Sequence, residues 1–425
     1  MERRGQTKRR SMALRIITIV TLVAIAASAL LPSLARADSL YTTLSPRTGS
    51  AHAIQSIYKL IFWLALIVFI GVQFGVVYTS LRYRRRSDEE PRPPQIHGHK
   101  TLEILWTIIP AVILLVIFIP TVRTMYTQAD EAVAGEKNGY VVDVVGKQWW
   151  WEMTYTKPAA VANVITANEL YVPVSKPVTI HLESNNVIHS FFVPQLIGKL
   201  DVIPGHINTL GFTAPDKPGV YYGECAEYCG YNHAFMRFKV MVVSQADFDA
   251  YIAGWKAGPS SAAAAVSGDV AAVPKSMNIC LACHRVQGTN ASVAAVGLVE
   301  DPGTESQPGT AKIAGPNLTN FGCRTTIGAG IMPNTVENLK EWLRDPGSIK
   351  QGNYMATVIK KGILKEAQIN EIVAYLQASH PEAGCVPLTG EHANTIVQLA
   401  PAVVGSPIAA GSPAAAGSPV ATPAS

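Results

Sequence analysis

Three long apolar runs stand near the beginning of the chain. The first, residues 16–31, follows a basic stretch and precedes Ala-Arg-Ala at 35–37, a small-x-small cleavage pattern. We interpret residues 1–37 as a signal peptide; an uncleaved first membrane helix is the alternative, although about 16 apolar residues are few for a span. The other two runs, 54–81 and 102–122, are long enough to cross a bilayer and predict two transmembrane helices.

Short apolar segments separated by Gly, Pro and Asn follow from Gly139 to Val243, a pattern typical of the strands of a small sandwich or barrel. The predicted strands are residues 140–145, 171–174, 178–182, 191–193, 208–212, 219–222 and 235–243. Ser244 is then placed to cap a short helix, with Asp247 three residues further on, and this helix is expected to end near Gly254.

The last third of the chain changes to a helical pattern. A Pro/Ser/Ala stretch at 258–268 predicts a linker. Apolar stripes at 336–343 and 369–376 predict two helices, the first ended by Asp-Pro at 345–346. From about Ala393 the composition falls to Ala, Pro, Ser and Gly, which cannot bury a core, so this tail is expected to be disordered.

Charge is distributed unevenly along the 425 residues, a length that allows two or three domains. Charged residues make up only 15% of the chain, and the formal net charge of +5 arises in the leader, where residues 1–37 hold seven bases and one acid. Residues 101–425 hold 20 Lys and Arg against 25 Asp and Glu. This balance excludes a nucleic-acid-binding interpretation of the basic pI.

A cluster of Arg residues separates the two predicted spans, at positions 82, 84, 85 and 86. The positive-inside rule places this loop in the cytoplasm and everything after Met125 on the extracytoplasmic side. Glu103 lies at the cytoplasmic end of the second span, where a carboxylate is costly unless it snorkels to the interface, pairs or lines a water path. The residue's position alone leaves an interfacial anchor and a functional carboxylate open.

Four metal-ligating side chains fall within twelve residues between two predicted strands: Cys225, Cys229, His233 and Met236. His189 lies upstream, at the start of another strand. Thiolate, thioether and imidazole ligands together select copper, and a second Cys beyond the one of a mononuclear blue site suggests two coppers bridged by both sulfurs. A disulfide between the two cysteines or a closed zinc site is the alternative, but the disulfide would leave Met236 and His189 without a role.

Residues 280–284 read Cys-Leu-Ala-Cys-His, the pattern of covalent c-type haem attachment. Two thiols one helical turn apart can bond the two vinyl groups of haem, and the adjacent His284 can reach the iron. A redox dithiol beside an unrelated His is the alternative. An electron-transfer haem needs a sixth ligand, for which Met332 and Met355 are the candidates.

Residues from about 50 to 250 resemble subunit II of the haem-copper cytochrome c oxidases. Besides the copper motif, the matching segments are Glu-Ile-Leu-Trp-Thr-Ile-Ile-Pro at 103–110, Gln-Trp-Trp-Trp-Glu at 148–152, Val-Ile-His-Ser-Phe at 187–191 and Asp-Val-Ile-Pro-Gly at 201–205. The resemblance implies a two-helix hairpin that carries a cupredoxin-like domain with the binuclear copper centre CuA.

The resemblance also implies roles for individual residues. The copper ligands would be His189, Cys225, Glu227 through its backbone carbonyl, Cys229, His233 and Met236. The Glu227 carboxylate would face a magnesium ion shared with subunit I, electrons would enter through Trp149, and Glu103 would lie at the mouth of a proton pathway. His206 is a departure, since the family commonly has Arg there, and it puts in doubt a salt bridge from this position to the haem propionates.

Residues from about 270 to 390 resemble the class I cytochrome c that is fused to subunit II in caa3-type oxidases. The matching segments are Gly-Pro-Asn-Leu at 315–318, Met-Pro-Asn-Thr at 332–335 and Lys-Gln-Gly-Asn-Tyr-Met at 350–355. In this family the last Met is the axial ligand, so the resemblance favours Met355 over Met332. The carbonyl of Pro316 would accept the free N–H of His284. Ala356 stands where the family usually has Pro.

Two cysteines remain once copper and haem have claimed four. Cys323 and Cys385 both lie in the domain that resembles cytochrome c, in an oxidising compartment where spare cysteines tend to pair. We expect a disulfide that ties the last helix to the haem-pocket loop. Two unrelated buried thiols are the alternative, since sequence does not tell how closely the two Cα atoms approach.

These features predict a multidomain membrane protein with a two-helix transmembrane hairpin, an all-β cupredoxin-like CuA domain and an all-α class I cytochrome c domain. The expected organisation is a signal peptide (1–37), the transmembrane hairpin (38–130), the CuA domain (131–256), a linker (257–273), the cytochrome c domain (274–390) and a disordered tail (391–425).

The expected function also follows from the resemblance. An external donor, such as a soluble cytochrome or a copper protein, would pass electrons through haem c and CuA to the oxygen-reducing site of subunit I. Subunit III is a further expected partner, and the location would be a bacterial plasma membrane. A nitric oxide reductase subunit and a free-standing membrane electron carrier are the alternatives. A quinol oxidase subunit is disfavoured, because it would have no use for copper ligands.

Overall fold

A computed structural model describes residues 40–84, 94–95, 97–268, 272–286 and 315–395. The predicted signal peptide, Arg85 and Arg86 of the predicted cytoplasmic loop, and the predicted tail beyond residue 395 lie outside the described residues. All of the elements below belong to one compact unit, Thr43–Ser425.

The first two helices are long and apolar: α1 spans Gly49–Arg82 and α2 spans Lys100–Asn138. Each contains an 18-residue window apolar enough to cross a membrane, and none of the residues in either window is buried against protein. An apolar surface of this size is stable in lipid rather than in water. The predicted transmembrane hairpin is therefore confirmed.

α2 continues well beyond the predicted span, and its last turns pack against the β-domain. The Thr179 hydroxyl donates a hydrogen bond to the carbonyl of Ala132 at 2.6 Å. Gly211 approaches the same turn so closely that a Cβ there would lie 2.3 Å from the Cα of Ala132. This packing fixes the β-domain to the end of the membrane hairpin.

Ten strands form a sandwich of two five-stranded sheets. The strands are β1 Tyr140–Lys147, β2 Trp150–Lys157, β3 Ile165–Ala167, β4 Glu169–Pro173, β5 Pro177–Ser184, β6 His189–Val193, β7 Ile197–Val202, β8 Asn208–Thr213, β9 Gly219–Cys225 and β10 Arg237–Val243. The strand orders are β3-β2-β1-β5-β8 and β4-β10-β9-β6-β7. β1 runs parallel to β5 and β4 parallel to β10. The all-β cupredoxin-like domain is confirmed.

Aromatic side chains fill the space between the two sheets. Trp151 is fully buried, and its ring packs edge-on against Phe191 and Phe238, with centroid distances of 5.6 and 5.4 Å. The two Phe rings stack at 4.4 Å. The Trp151 ring also lies 5.9 Å from that of His189, so the core supports a predicted metal ligand from within.

Three strands were absent from the sequence prediction: β2, β3 and β7. β2 lacks a continuous apolar run because buried polar residues interrupt it, among them Glu152. The Glu152 carboxylate forms an ion pair with the buried Lys147 ammonium at 3.4 Å, which allows both charges to be buried in the sheet. A pattern that scores polar residues as exposed does not recognise such a strand.

The predicted linker is partly helical. Ser244 caps helix α3, Gln245–Ala257, as predicted, but α3 continues past Gly254. A further helix, α4, covers Ser261–Ser267, and the Ser260 N–H donates to the carbonyl of His380 at 2.9 Å. No helix is predicted within residues 258–268, but their Ala content favours one, and it packs onto the cytochrome domain.

Short helices dominate the described part of the second domain. Its elements are 3-10 segments at Lys275–Ala282 and Phe321–Cys323, strands β11 Thr326–Ile327 and β12 Met332–Pro333, and helices α5 Val336–Arg344, α6 Pro346–Ile349, α7 Met355–Val358 and α8 Glu366–Ala378. Leu339 and Leu343 of α5 share one core with Ile369 and Ile372 of α8, so both predicted stripes face inward.

One covalent bond closes this domain, and contacts of Glu391 join its C-terminal end to the rest of the chain. Cys323 and Cys385 form a disulfide, with their Cα atoms 5.2 Å apart. Glu391 accepts a hydrogen bond from the N–H of Val220 at 2.8 Å and forms an ion pair with Arg47. The prediction that the disordered tail begins at residue 391 is therefore wrong for residues 391–395.

Candidate functional site

The β9–β10 loop and the start of β6 bring the predicted metal ligands together at one end of the sandwich. Donor atoms of His189, Cys225 and Cys229 all lie within 4.8 Å of one another, and all three residues are buried. Cys225 ends β9, whereas Cys229 belongs to the loop. The sulfur atoms of the two cysteines, both free thiols, are 3.7 Å apart, so the disulfide alternative does not hold here.

Each of the two sulfurs has one imidazole and one weaker donor beside it. Cys225 Sγ lies 3.8 Å from Nδ1 of His189 and 3.2 Å from the carbonyl oxygen of Glu227. The donor atoms beside Cys229 Sγ are Nδ1 of His233 at 3.8 Å and Sδ of Met236 at 3.9 Å. Two thiolates flanked in this way fit two copper ions bridged by sulfur, whereas a closed zinc site would use only four of the six donors.

Main-chain and side-chain hydrogen bonds hold the ligand loop in place. The N–H of Cys225 donates to the carbonyl of Met236 at 3.1 Å. The carbonyl of Cys229 accepts from Gln148 Nε2 at 2.7 Å and from the indole N–H of Trp149 at 2.9 Å. These contacts fix the backbone of the loop before any metal binds.

Two further residues set the position of the His189 ring. Asn186 Oδ1 lies 3.3 Å from Nε2 of His189, which leaves Nδ1 directed at the cysteine sulfur. Gly146 passes so close that a Cβ there would be 2.7 Å from Cδ2 of the ring. The close hydrogen bond between the two thiols lowers the pKa of Cys225 and raises the pKa of Cys229, so the two sulfurs share one proton while no metal is bound.

The haem-attachment motif lies at the mouth of a second, largely apolar cavity. Cys280, Cys283, His284 and Met355 all line this cavity. Nδ1 of His284 lies 2.6 Å from the carbonyl oxygen of Pro316. This contact leaves Nε2 available for iron, and burial lowers the pKa of His284, which keeps the ring in the neutral form that ligates a metal.

Met355 and Met332 occupy different environments. Met355 lines the cavity, and its Sδ accepts a hydrogen bond from the indole N–H of Trp342 at 3.3 Å. Met332 is 9% exposed and belongs to the packed core of the domain. Of the two candidate sixth ligands, Met355 therefore lines the cavity and Met332 does not.

Two features of the cavity suit a haem. Gly315 lies against the His284 ring, where a Cβ would be 2.5 Å from Cε1, so a larger residue would displace the ring. Arg324 also lines the cavity, and its buried Nε has no hydrogen-bond partner among the described residues. A buried, unpaired guanidinium N–H is matched by the carboxylate groups that haem carries.

The aromatic run at the β1–β2 turn is covered. Strand alternation predicts that one face at most is buried, but Trp150 is 7% and Trp151 0% exposed, and Trp149 is half-buried. Trp151 faces the sandwich core, whereas Trp150 packs with Ala329 of the cytochrome domain. Both faces of the run are buried because the second domain covers the outer face of the sheet.

The remaining predicted residues lie on the surface. The side chains of Glu227 and His206 are exposed. The Glu103 carboxylate accepts a hydrogen bond from the N–H of His99 at 3.1 Å, at the N-terminus of α2.

Comparison with known proteins identifies the family. Residues 43–124 match "Cytochrome C oxidase subunit II, transmembrane domain", residues 157–243 match "Cytochrome C oxidase subunit II, periplasmic domain" and residues 273–379 match "Cytochrome c". Cytochrome c oxidase subunit 2 of Alkalihalophilus pseudofirmus is 34% identical over 340 residues, which cover 79% of this chain and 90% of the relative. The chain belongs to the cytochrome c oxidase subunit II family.

A second relative has the same description as the first. Cytochrome c oxidase subunit 2 of Bacillus sp. strain PS3 is 36% identical over 308 residues, which cover 70% of this chain and 79% of the relative. A crystal structure of the periplasmic domain of subunit II of the Bradyrhizobium japonicum cytochrome oxidase is 32% identical and covers 28% of this chain and 93% of its own, with a TM-score of 0.26.

This subunit II is therefore a membrane protein of an oxygen-reducing oxidase, with a periplasmic domain of the copper-binding type and a fused cytochrome c domain. Its partner in the complex is subunit I, and the fusion supports the transfer of electrons into the oxidase. The copper and haem expected from the sequence are those that the two matched families imply.

Sequence reasoning missed several residues that build the site. Gln148 and Asn186 hold the copper loop and the His189 ring, and Lys350 joins the two domains. Gln148 and Lys350 each begin a segment that matches its family, at 148–152 and 350–355, but the resemblance assigns them no role. Asn186 lies only three residues before His189, yet no motif marks it, and the partner of Lys350 at Trp149 comes from a distant segment.

Proposed function

We propose that this subunit II is the electron-input subunit of a caa3-type oxidase, in which one chain holds both haem c and CuA. The observation that carries the proposal is the common wall of the two sites: Trp149 lines the haem cavity while its indole hydrogen bonds the carbonyl of Cys229. Electrons from an external donor would enter at the haem and leave through the copper loop toward subunit I.

Separate parts of the chain would hold the two redox groups. The haem would be held by Cys280, Cys283, His284 and Met355, with Pro316 orienting the imidazole. The copper ions would be held by His189, Cys225, the Glu227 carbonyl, Cys229, His233 and Met236. Both groups would change oxidation state by one electron, and the rigid β-sandwich would limit the rearrangement that this change requires at the copper site.

Two surface residues, Glu227 and Glu103, would serve the complex rather than the redox groups. The exposed Glu227 carboxylate would bind magnesium together with subunit I, and Glu103 would feed protons into that subunit. Trp149 would carry electrons from the haem cavity to the copper loop. Subunit III and an external cytochrome or copper protein would complete the system in a bacterial plasma membrane, with residues 1–37 as a signal peptide.

The experiment is purification of the complex through a tag on this chain. We expect a reduced-minus-oxidised spectrum with c-type haem, the near-infrared absorption of mixed-valence copper and the haems of subunit I, together with oxygen consumption. Copper without covalent haem, or a complex that consumes nitric oxide but not oxygen, would contradict the proposal.

A further inference from the structure

The cytochrome domain is seated directly on the copper domain. Trp150 is buried in a cluster with Ala167 and with Ala329 of the cytochrome domain. Nearby, Nδ2 of Asn317 donates to the carbonyl of Ile165 at 3.0 Å. The outer face of the β2–β3 sheet, which carries the aromatic run, is therefore an interdomain surface.

Buried polar contacts make this surface specific. The Glu169 carboxylate, 3% exposed, accepts hydrogen bonds from the N–H of Thr325 at 2.9 Å, its hydroxyl at 2.6 Å and the N–H of Thr326 at 3.2 Å. Lys239 Nζ donates to the same Thr325 hydroxyl at 2.9 Å. Buried polar groups that lose their partners are costly, so such a network favours one docked arrangement over sliding alternatives.

Lys350 is the most buried cation of this surface, at 3% exposure. Its ammonium donates to the carbonyls of Trp149 at 2.8 Å, Phe235 at 2.7 Å and Gly328 at 3.0 Å. Two of these carbonyls belong to the copper domain and one to the cytochrome domain. All three N–H bonds of the ammonium are thus used, the condition under which a lysine can lie buried.

The position of Lys350 along the chain connects the two sites. It lies five residues before Met355, on the segment that leads to the proposed haem ligand. Phe235, one of its acceptors, directly precedes the proposed copper ligand Met236, and Trp149, another acceptor, hydrogen bonds Cys229. One side chain therefore contacts the backbone on both sides of the proposed electron path.

We propose that Lys350 is a positioning residue that holds the haem-ligand segment against the copper loop at a fixed separation. The inference rests on the proposed electron path between haem and copper. Electron transfer slows steeply as the distance between the two redox groups increases. A contact that fixes this distance therefore sets the rate of haem-to-copper transfer. Asn232 of the copper loop holds the same segment, since its Nδ2 donates to the carbonyl of Gln351 at 2.7 Å.

The test compares Lys350→Met with Lys361→Met in the purified oxidase. Met keeps the length of the side chain but removes all three donors, whereas Lys361 is an exposed lysine of the same domain. In Lys350→Met we expect haem-to-copper transfer to slow about tenfold after rapid reduction of the haem, as misplacement of reacting groups does in general. Amide hydrogen exchange over residues 324–333 should accelerate about tenfold. Both metal-site spectra should stay unchanged, and Lys361→Met should behave as the unmodified protein.

Each result has a defined meaning. Transfer at the unmodified rate in Lys350→Met overturns the inference, whether or not hydrogen exchange accelerates. If this variant fails to assemble or loses the haem spectrum, Asn232→Ala tests the neighbouring contact of the same segment, at the carbonyl of Gln351, and unmodified transfer there overturns the inference. Absence of haem-to-copper transfer in the unmodified oxidase would instead refute the proposed electron path.

Discussion

Cys225 and Cys229 lie side by side but are held by different contacts. The backbone of Cys225 is fixed by the end of β9, whereas the carbonyl of Cys229 is fixed by side chains from the β1–β2 turn. Both sulfurs contact an imidazole and a weaker donor. At the scale of single residues, the two sulfurs therefore have similar donor atoms beside them, but different parts of the chain hold the two cysteines in place.

Cys229→Ser should abolish the mixed-valence copper site. The hydroxyl is a hard, poorly ionised ligand that does not replace a bridging thiolate. We expect loss of the near-infrared absorption and of oxygen consumption, while the c-type haem remains reducible because its ligands lie in another domain. Electronic absorption of the purified variant measures both, and retention of the near-infrared band with full turnover would refute the copper assignment.

Met355→Ala should change the haem where Met332→Ala does not. Met355 lines the haem cavity, whereas Met332 belongs to the packed core. Loss of an axial Met should give a five-coordinate or misligated haem of lower potential. Absorption spectra and a redox titration check this, and an unaltered Met355→Ala beside a disturbed Met332→Ala would reverse the assignment.

The spacing of ligands was predictable at this scale, but the supporting residues were not. Cys225, Cys229, His233 and Met236 lie within twelve residues, so local sequence contains the chemistry. Lys350 acquires its role only when residues about 200 positions apart meet, since it donates to the carbonyl of Trp149. A contact of this kind leaves no periodic or compositional trace.

At the scale of elements, strands and helices with a clear apolar period were predicted and the others were not. The stripes of α5 and α8 follow the helical period and both are present. β2 was missed because its buried Glu152 is neutralised by Lys147, and α4 was missed because a short Ala-rich helix resembles a linker. Tertiary contacts decide the structure in both cases.

The disulfide between Cys323 and Cys385 connects the Phe321–Cys323 turn with the segment after α8. Replacing both cysteines by Ser should lower the stability of the cytochrome domain by up to about 4 kcal/mol for a loop of 62 residues, because the unfolded chain regains freedom. Covalent haem already restrains that chain, so the measured loss should be smaller than this. Thermal unfolding followed at the haem band checks it, and an unchanged midpoint would show that the bond contributes nothing.

At the scale of the whole molecule, the membrane hairpin, the β-sandwich and the cytochrome domain are connected as one assembly. α2 extends beyond its apolar span and packs against the sandwich with its last turns. The cytochrome domain covers the face of the same sandwich that carries Trp150. The sequence predicts the three parts and a linker before the third, but not the contacts between them. The buried contacts at Glu169 and Lys350 dock the cytochrome domain on the sandwich.

Glu103→Gln tests the proposed link from this chain to proton uptake in subunit I. Gln keeps an acceptor for the N–H of His99, so the start of α2 should form normally. We expect both metal sites and the amount of assembled complex to be unchanged while oxygen consumption falls. An interfacial anchor predicts the unmodified rate, and that rate, measured in the purified complex, separates the two roles.

The central claim is that electrons reach copper through the haem of the same chain. The most direct test mixes the oxidised complex rapidly with a reduced external donor and follows the haem band and the near-infrared copper band together. The account predicts that haem is reduced first and that copper reduction follows as haem is reoxidised. Copper reduction that precedes haem reduction, or that proceeds at full rate in Met355→Ala, would contradict it.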